Sequence, residues 1–180
     1  MPRVRTWFSA TPDGVTVRLP AHVREIIGDL TEAVLELLPA ETDPVFPPAE
    51  SPGVPPDVAV LRLFPDGYGA PGAARDAAAA RAAAEFRRLT QGDLRATKAA
   101  DAQKVRETLA AKTLPAADAE QWARALNDVR LVLGSRLGLR RDGDAEALAE
   151  TGEGGQLLAL FGLLGAVQDE LLEALEDGGH

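Results

Sequence analysis

Cysteine is absent from this chain of 180 residues. That excludes disulfides, thiolate nucleophiles, zinc–thiolate sites and thiol redox switches. Histidine occurs only as His22 and His180, too few for a multi-histidine metal cage. Aromatic residues make up 4%, and none interleave with the basic residues as base stacking requires. The most apolar stretch, Gln156 to Val167, carries no charge but falls well short of the roughly 20 residues of a membrane-spanning helix. It reads as a core helix. No apolar segment follows the charged start Met1-Pro2-Arg3-Val4-Arg5, so a secretory signal is not expected and the cytoplasm is.

What is present fits one soluble globular domain over residues 1–180. Hydrophobic residues make up 46%, charged residues 26%, and the net charge is −9, enough apolar material for a substantial core. Residues 1–19 alternate around Thr11-Pro12-Asp13-Gly14. Pro presets φ and Gly supplies a left-handed conformation, so a β-hairpin is predicted. From Pro20, apolar residues Val23, Ile26, Ile27, Leu30, Val34, Leu37 and Leu38 recur at helical spacing until Pro39. Residues 39–56 form a Pro-rich loop.

The helical core is expected over 57–139 and 156–176. Asp57 is a candidate cap for a short helix to Phe64, and Pro65 to Gly72 a turn-rich loop around Tyr68. A long Ala- and Arg-rich helix from Ala73 to about Ala111 is expected to kink or break near Thr90-Gln91-Gly92-Asp93, where the apolar stripe changes phase from Phe86 and Leu89 to Leu94, Val105 and Leu109. Pro115 to Leu139 is the most periodic segment. Trp122, Leu126, Val129, Leu133 and Leu137 form one face, with Asn127, Leu131, Gly134 and Gly138 opposite, so this helix should be sandwiched between neighbours and capped by Gly138. Residues 140–155 read as an acidic loop before the last helix, which is apolar at Leu157, Leu160, Phe161, Leu164, Val167, Leu171 and Leu175. The fold class expected is mainly α: a compact helical bundle with a small N-terminal β-hairpin.

Charge is uneven. Glu85 to Arg141 holds 12 Lys or Arg against 7 Asp or Glu, while Asp142 to His180 holds 10 Asp or Glu and no Lys or Arg. Neighbouring regions of opposite sign complement each other or recruit charged partners. On a continuous helix Arg88, Arg95 and Arg106 share one sector, with Arg87 and Lys98 beside it. Arg is suited to bidentate carboxylate or phosphate contacts. The acidic chain as a whole argues against direct nucleic-acid binding. Asn127 and Asp128, with Arg130 and Arg136 flanking the apolar face and Arg124 one turn before Asp128, suggest a polar network joining helices. Catalytic patterns are lacking. Ser135 in Gly134-Ser135-Arg136-Leu137-Gly138 is out of place for a nucleophile elbow, and Gly152-Glu153-Gly154-Gly155 lacks the Lys-Ser/Thr of a phosphate loop. No cofactor or metal is expected. The alternatives are a direct DNA binder using the basic stripe and an enzyme with an unfamiliar carboxylate site. The apolar last helix also leaves room for a homodimer.

Four blocks taken together carry a resemblance. They are Leu61-Arg62-Leu63-Phe64-Pro65-Asp66-Gly67-Tyr68, Glu85-Phe86-Arg87-Arg88-Leu89-Thr90, Leu94-Arg95-Ala96-Thr97-Lys98, and the segment Trp122-Ala123-Arg124-Ala125-Leu126-Asn127-Asp128-Val129-Arg130-Leu131-Val132-Leu133-Gly134-Ser135-Arg136-Leu137-Gly138. In this order, after a β-like start and before an apolar last helix, they resemble the AosR-like bacterial family, long described only as a domain of unknown function. The resemblance implies a mostly helical cytoplasmic regulator of the oxidative-stress response, acting on transcription through a protein partner such as a sigma factor. In the redox-responsive branch a close cysteine pair is the trigger, and that pair has no counterpart here. The function expected is therefore that of a non-enzymatic regulatory protein that works through a protein partner.

Overall fold

The computed structural model describes residues 6–38, 57–64, 77–138, 148–149 and 151–178, without the side chains of 61 and 77–90. The expected Pro-rich loop at 39–56, the loop around Tyr68 and most of the acidic loop lie outside the described residues. Two strands and a helix open the chain: β1 Phe8–Thr11, β2 Gly14–Val17 and α1 Ala21–Leu37. Then come α2 Val58–Leu63, α3 Ala77–Thr108, β3 Thr113–Pro115, α4 Ala116–Arg136 and α5 Gly152–Gly178. The architecture is mainly α, with a small antiparallel sheet at the N-terminal end.

The hairpin forms where the turn chemistry places it. Thr11 faces Gly14 and Phe8 faces Val17, so Pro12 and Asp13 are the two loop residues. The sequence pattern did not show the third strand. β3 pairs antiparallel with β2, Val15 opposite Leu114, and three residues are too few to display a two-residue period. Gly14 has φ +154°, and a Cβ there would lie 2.1 Å from the Leu114 carbonyl oxygen. Only glycine allows the two backbones this close. The sheet buries Phe8, Val15, Val17 and Leu114 against the helices.

α1 starts after Pro20 and buries Val23, Ile27 and Val34 of the expected stripe together with Thr31, while Ile26, Leu30, Leu37 and Leu38 are half-buried. His22 is exposed. Asp57 caps α2, its Oδ1 accepting from the Ala59 N–H at 2.8 Å. α3 has no break at the point where a kink or break is expected. The chain passes through Gly92 without leaving the helix. Gly92 is exposed with nothing packed on its Cα, so it costs α3 only about 1 kcal/mol of propensity, a loss the Ala-rich surroundings tolerate.

α4 is the central helix, touching α1, α2, α3, α5, β2 and β3. Trp122, Leu126 and Val129 are buried on its expected face, whereas Leu133 and Leu137 are only half-buried. The Trp122 indole N–H donates to Thr108 Oγ1 at 2.8 Å, which satisfies the ring's one polar group inside the core. Gly138, at φ +70°, follows the last turn and donates to the Ser135 carbonyl at 3.2 Å. This is the left-handed cap that its position suggested. α5 begins four residues before the expected Gln156, because Thr151 Oγ1 accepts from the Gly154 N–H at 3.1 Å and caps it.

A guanidinium that no sequence pattern marks fastens α1 to the end of α3. Arg24 donates to the carbonyls of Leu19 and Ala111, each at 3.1 Å, and to that of Leu109. These include carbonyls at the C-terminal end of α3, where backbone acceptors lack helical partners and the helix dipole favours a cation. Among the described residues no helix is long and apolar enough to cross a membrane.

Candidate functional site

Lys98, Asn127 and Asp128, with Arg124, lie along one open cleft of about 370 Å³ between α3, α4 and α5. Helical spacing sets its walls. α3 contributes Leu94, Lys98 and Asp101 at i, i+4 and i+7. α4 contributes Arg124, Asn127 and Asp128, and α5 contributes Gln168 and Leu172.

Two ion pairs close the floor. Lys98 Nζ lies 2.6 Å from Asp128 Oδ1. Arg124 grips Asp101 with both prongs, Nε to Oδ2 at 2.8 Å and Nη2 to Oδ1 at 2.9 Å. Both carboxylates are buried, Asp101 2% and Asp128 4% exposed, while the Arg124 side chain keeps 51% of its surface in solvent. The pairing differs from the Arg124–Asp128 contact expected one turn apart. α3 and α4 run in opposite directions, so the order Lys98, Asp101 on one meets Asp128, Arg124 on the other. Complementary charges at mirrored positions were the signal for this arrangement, and a search within single helices cannot find it.

Burial pushes the Asp128 carboxyl above its ordinary range. The Lys98 hydrogen bond and charge oppose that rise, and the Asp101 charge adds to it. The Arg124 guanidinium is raised, chiefly by its hydrogen bonds to Asp101. The hydroxyl of Thr97 is engaged with its own helix, donating to the Asp93 carbonyl at 2.8 Å.

Asn127 is not in the buried network the sequence suggested. It is exposed at the cleft, and its carboxamide forms no hydrogen bond among the described residues. Gln168, which no polar pattern in the sequence singles out, takes the buried position. Its Nε2 donates to the Ala123 carbonyl at 3.1 Å, and its Oε1 accepts from Arg130 Nη1 at 2.7 Å. Arg130 therefore belongs to the seam between α4 and α5. Its guanidinium lies over the Phe161 ring at 5.3 Å and 3.6 Å from the position a Cβ on Gly165 would occupy, and its Nε is buried without a partner.

The remaining candidates are dispersed. Arg136 Nη2 contacts Asp57 Oδ2 at 2.6 Å and so braces the cap of α2. Arg106 reaches Glu32 on α1 at 3.2 Å. Arg95 is half-buried and engaged. Arg87 and Arg88 lie on α3, with side chains outside the described residues. Within the expected basic stripe, Lys98 and Arg106 are thus engaged in separate contacts.

Leu94 was expected in the core stripe of α3. Instead it is 37% exposed at one lip of the cleft, and Leu172, 42% exposed, stands at another. Among the described residues no three His, Cys, Asp or Glu gather as a metal site would need. The arrangement offers a polar floor whose charges are matched, bordered by two solvent-facing leucines. It presents apolar surface and the Asn127 amide to solvent.

No curated protein and no solved structure matches the chain. One family model does, over residues 4–175, nearly the whole length. The chain belongs to the DUF2017 family, a domain of unknown function.

Proposed function

We propose that this protein is a non-enzymatic regulator in the cytoplasm that acts on transcription through a protein partner such as a sigma factor, with the cleft between α3, α4 and α5 as its docking surface. The observation that carries this reading is the pair of exposed leucines, Leu94 and Leu172, on a cleft whose buried charges are already matched. Solvent-facing apolar side chains grouped around a concavity are what a partner covers. A carboxylate used as an acid or base needs access to a substrate proton, whereas Asp101 and Asp128 are each held by a cation. The engagement of Arg106 with Glu32 likewise favours a protein partner over DNA.

The test is affinity capture from the native host's lysate, comparing the wild-type chain with Leu94→Asp/Leu172→Asp and with Arg106→Ala. A transcription component should be held near stoichiometrically by wild type and Arg106→Ala and lost from the double variant. Recovery of the bait alone, or full retention by the double variant, refutes the reading.

A further inference from the structure

We infer that the segment docking in this cleft is an amphipathic α-helix with a basic flank. This deepens the docking reading above and rests on it. The three walls are helices, whose backbone N–H and C=O groups are spent on their own hydrogen bonds. Among the described residues no sheet edge lines the cleft, so side chains must do the recognising. A groove between helices with apolar lips accepts the apolar stripe of another helix. Leu94 to Asp101 spans about 10 Å along α3, two turns, which suits two apolar anchors at i and i+4 or i+7.

Charge fixes the flank. The floor is neutral, two carboxylates against two cations, so on the α5 side the charge is set by the residues that flank Leu172. On α5 Asp169 stands one turn before Leu172 and Glu173 directly follows it. Both are exposed and enter no ion pair among the described residues. No Lys or Arg occurs from residue 142 to the end of the chain. A docking helix that places leucines between Leu94 and Leu172 therefore sets one flank against unneutralised carboxylates. Lys or Arg is stabilised there and Asp or Glu repelled. Asn127 can pair with a polar group at the seam of that helix.

Three fluorescein-labelled synthetic helical peptides of about 16 residues, roughly four turns, test this by anisotropy against the full chain. The first carries a leucine stripe and Lys/Arg flanks. The second replaces the leucines by serine, and the third replaces Lys/Arg by Glu. The first should bind at least about tenfold more tightly than either other. Leu172→Asp should weaken it about tenfold, and Asp169→Lys/Glu173→Lys should shift preference toward the acidic peptide. Amide NMR shifts should cluster at Leu94, Asn127 and Leu172, and circular dichroism should show each variant folded, since all three substituted positions are exposed.

No binding by any peptide, equal binding of the serine peptide, tighter binding of the acidic one, or indifference to Leu172→Asp overturns the inference. So does a dimer in light scattering that Leu172→Asp dissociates, because a second copy would then occupy the cleft. A native partner lost on Leu172→Asp but not displaced by the first peptide leaves the docking surface standing and overturns only the basic helix as its occupant.

Discussion

Where α4 faces α3, two buried carboxylates meet two cations. Where the same helix faces α5, one guanidinium meets a neutral amide and an aromatic ring. Both seams bury polar groups, yet their energetics differ. In the first, each charge is stabilised chiefly by a partner of opposite sign, so removing one partner strands a charge in a poorly solvated place. In the second, Gln168 bridges the helices without net charge. The one unmet need is Arg130 Nε, buried with no acceptor. The first seam should therefore be fragile and sensitive to pH, and the second moderate in strength and indifferent to pH across the range where carboxylates titrate.

Lys98→Met breaks the comparison hardest. It leaves Asp128 buried without its cation, and the expected loss is about 3 kcal/mol at pH 7 by urea denaturation. The pH dependence has a defined sign. Burial already holds the Asp128 carboxyl above its ordinary range, and loss of Lys98 raises it further. Below that raised value the folded variant takes up a proton that the unfolded chain does not yet bind, so stability is gained as pH falls. The deficit relative to wild type should thus shrink between neutrality and the ordinary carboxylate range. Adding Asp128→Leu should recover most of the loss at pH 7, since an apolar pair of similar volume replaces a buried ion pair at little cost. A deficit that stays constant with pH would show that Asp128 is not the stranded group.

Arg130→Met is the matching change at the other seam. It removes the bond to Gln168 Oε1 and the contact with Phe161, worth together about 1–2 kcal/mol. It also relieves the desolvation of Nε. The loss should be smaller than that of Lys98→Met and flat from about pH 4 to 8, because the partners removed, the Gln168 amide and the Phe161 ring, carry no ionisable proton. A steep pH dependence would erase the distinction between the seams.

The two seams were unequally legible in the sequence. Their helices were visible from the spacing of Trp122, Leu126 and Val129 and of Leu164, Val167 and Leu171, and Asp57, Gly14 and Gly138 announced their turns and caps. Asp128 is conspicuous as a polar residue in a helix built for packing, Arg130 as a flank of its apolar face, and Lys98 as part of a basic stripe. Their partners are not conspicuous, because pairing across helices depends on how two helices run and rotate. The reading of Arg124 as a local partner of Asp128 failed for that reason: one turn apart on one helix is near, but Asp101 faces the guanidinium squarely. Gln168 escaped notice because a lone Gln in an apolar helix has no spacing signature. Leu94 fitted the apolar stripe and still faces water, since periodicity reports a face and cannot say what covers it.

Arg124→Lys sharpens the first seam from within. The positive charge stays and the planar two-pronged grip on Asp101 goes. Lysine forms a point contact, so about 1 kcal/mol should be lost in urea denaturation. A loss as large as that of Lys98→Met would mean that Asp101 relies on fork geometry more than on charge.

The smallest effect belongs to the pair outside both seams. Arg106 and Glu32 lie 3.2 Å apart with 42% and 53% of their side chains exposed, so water and salt screen them and holding two long side chains in register offsets much of the attraction. Arg106→Ala should change stability by less than about 0.5 kcal/mol, and added salt should remove even that difference in urea denaturation. A loss above about 1 kcal/mol would place this contact with the buried pairs, and burial would no longer explain why the α3–α4 seam is the fragile one.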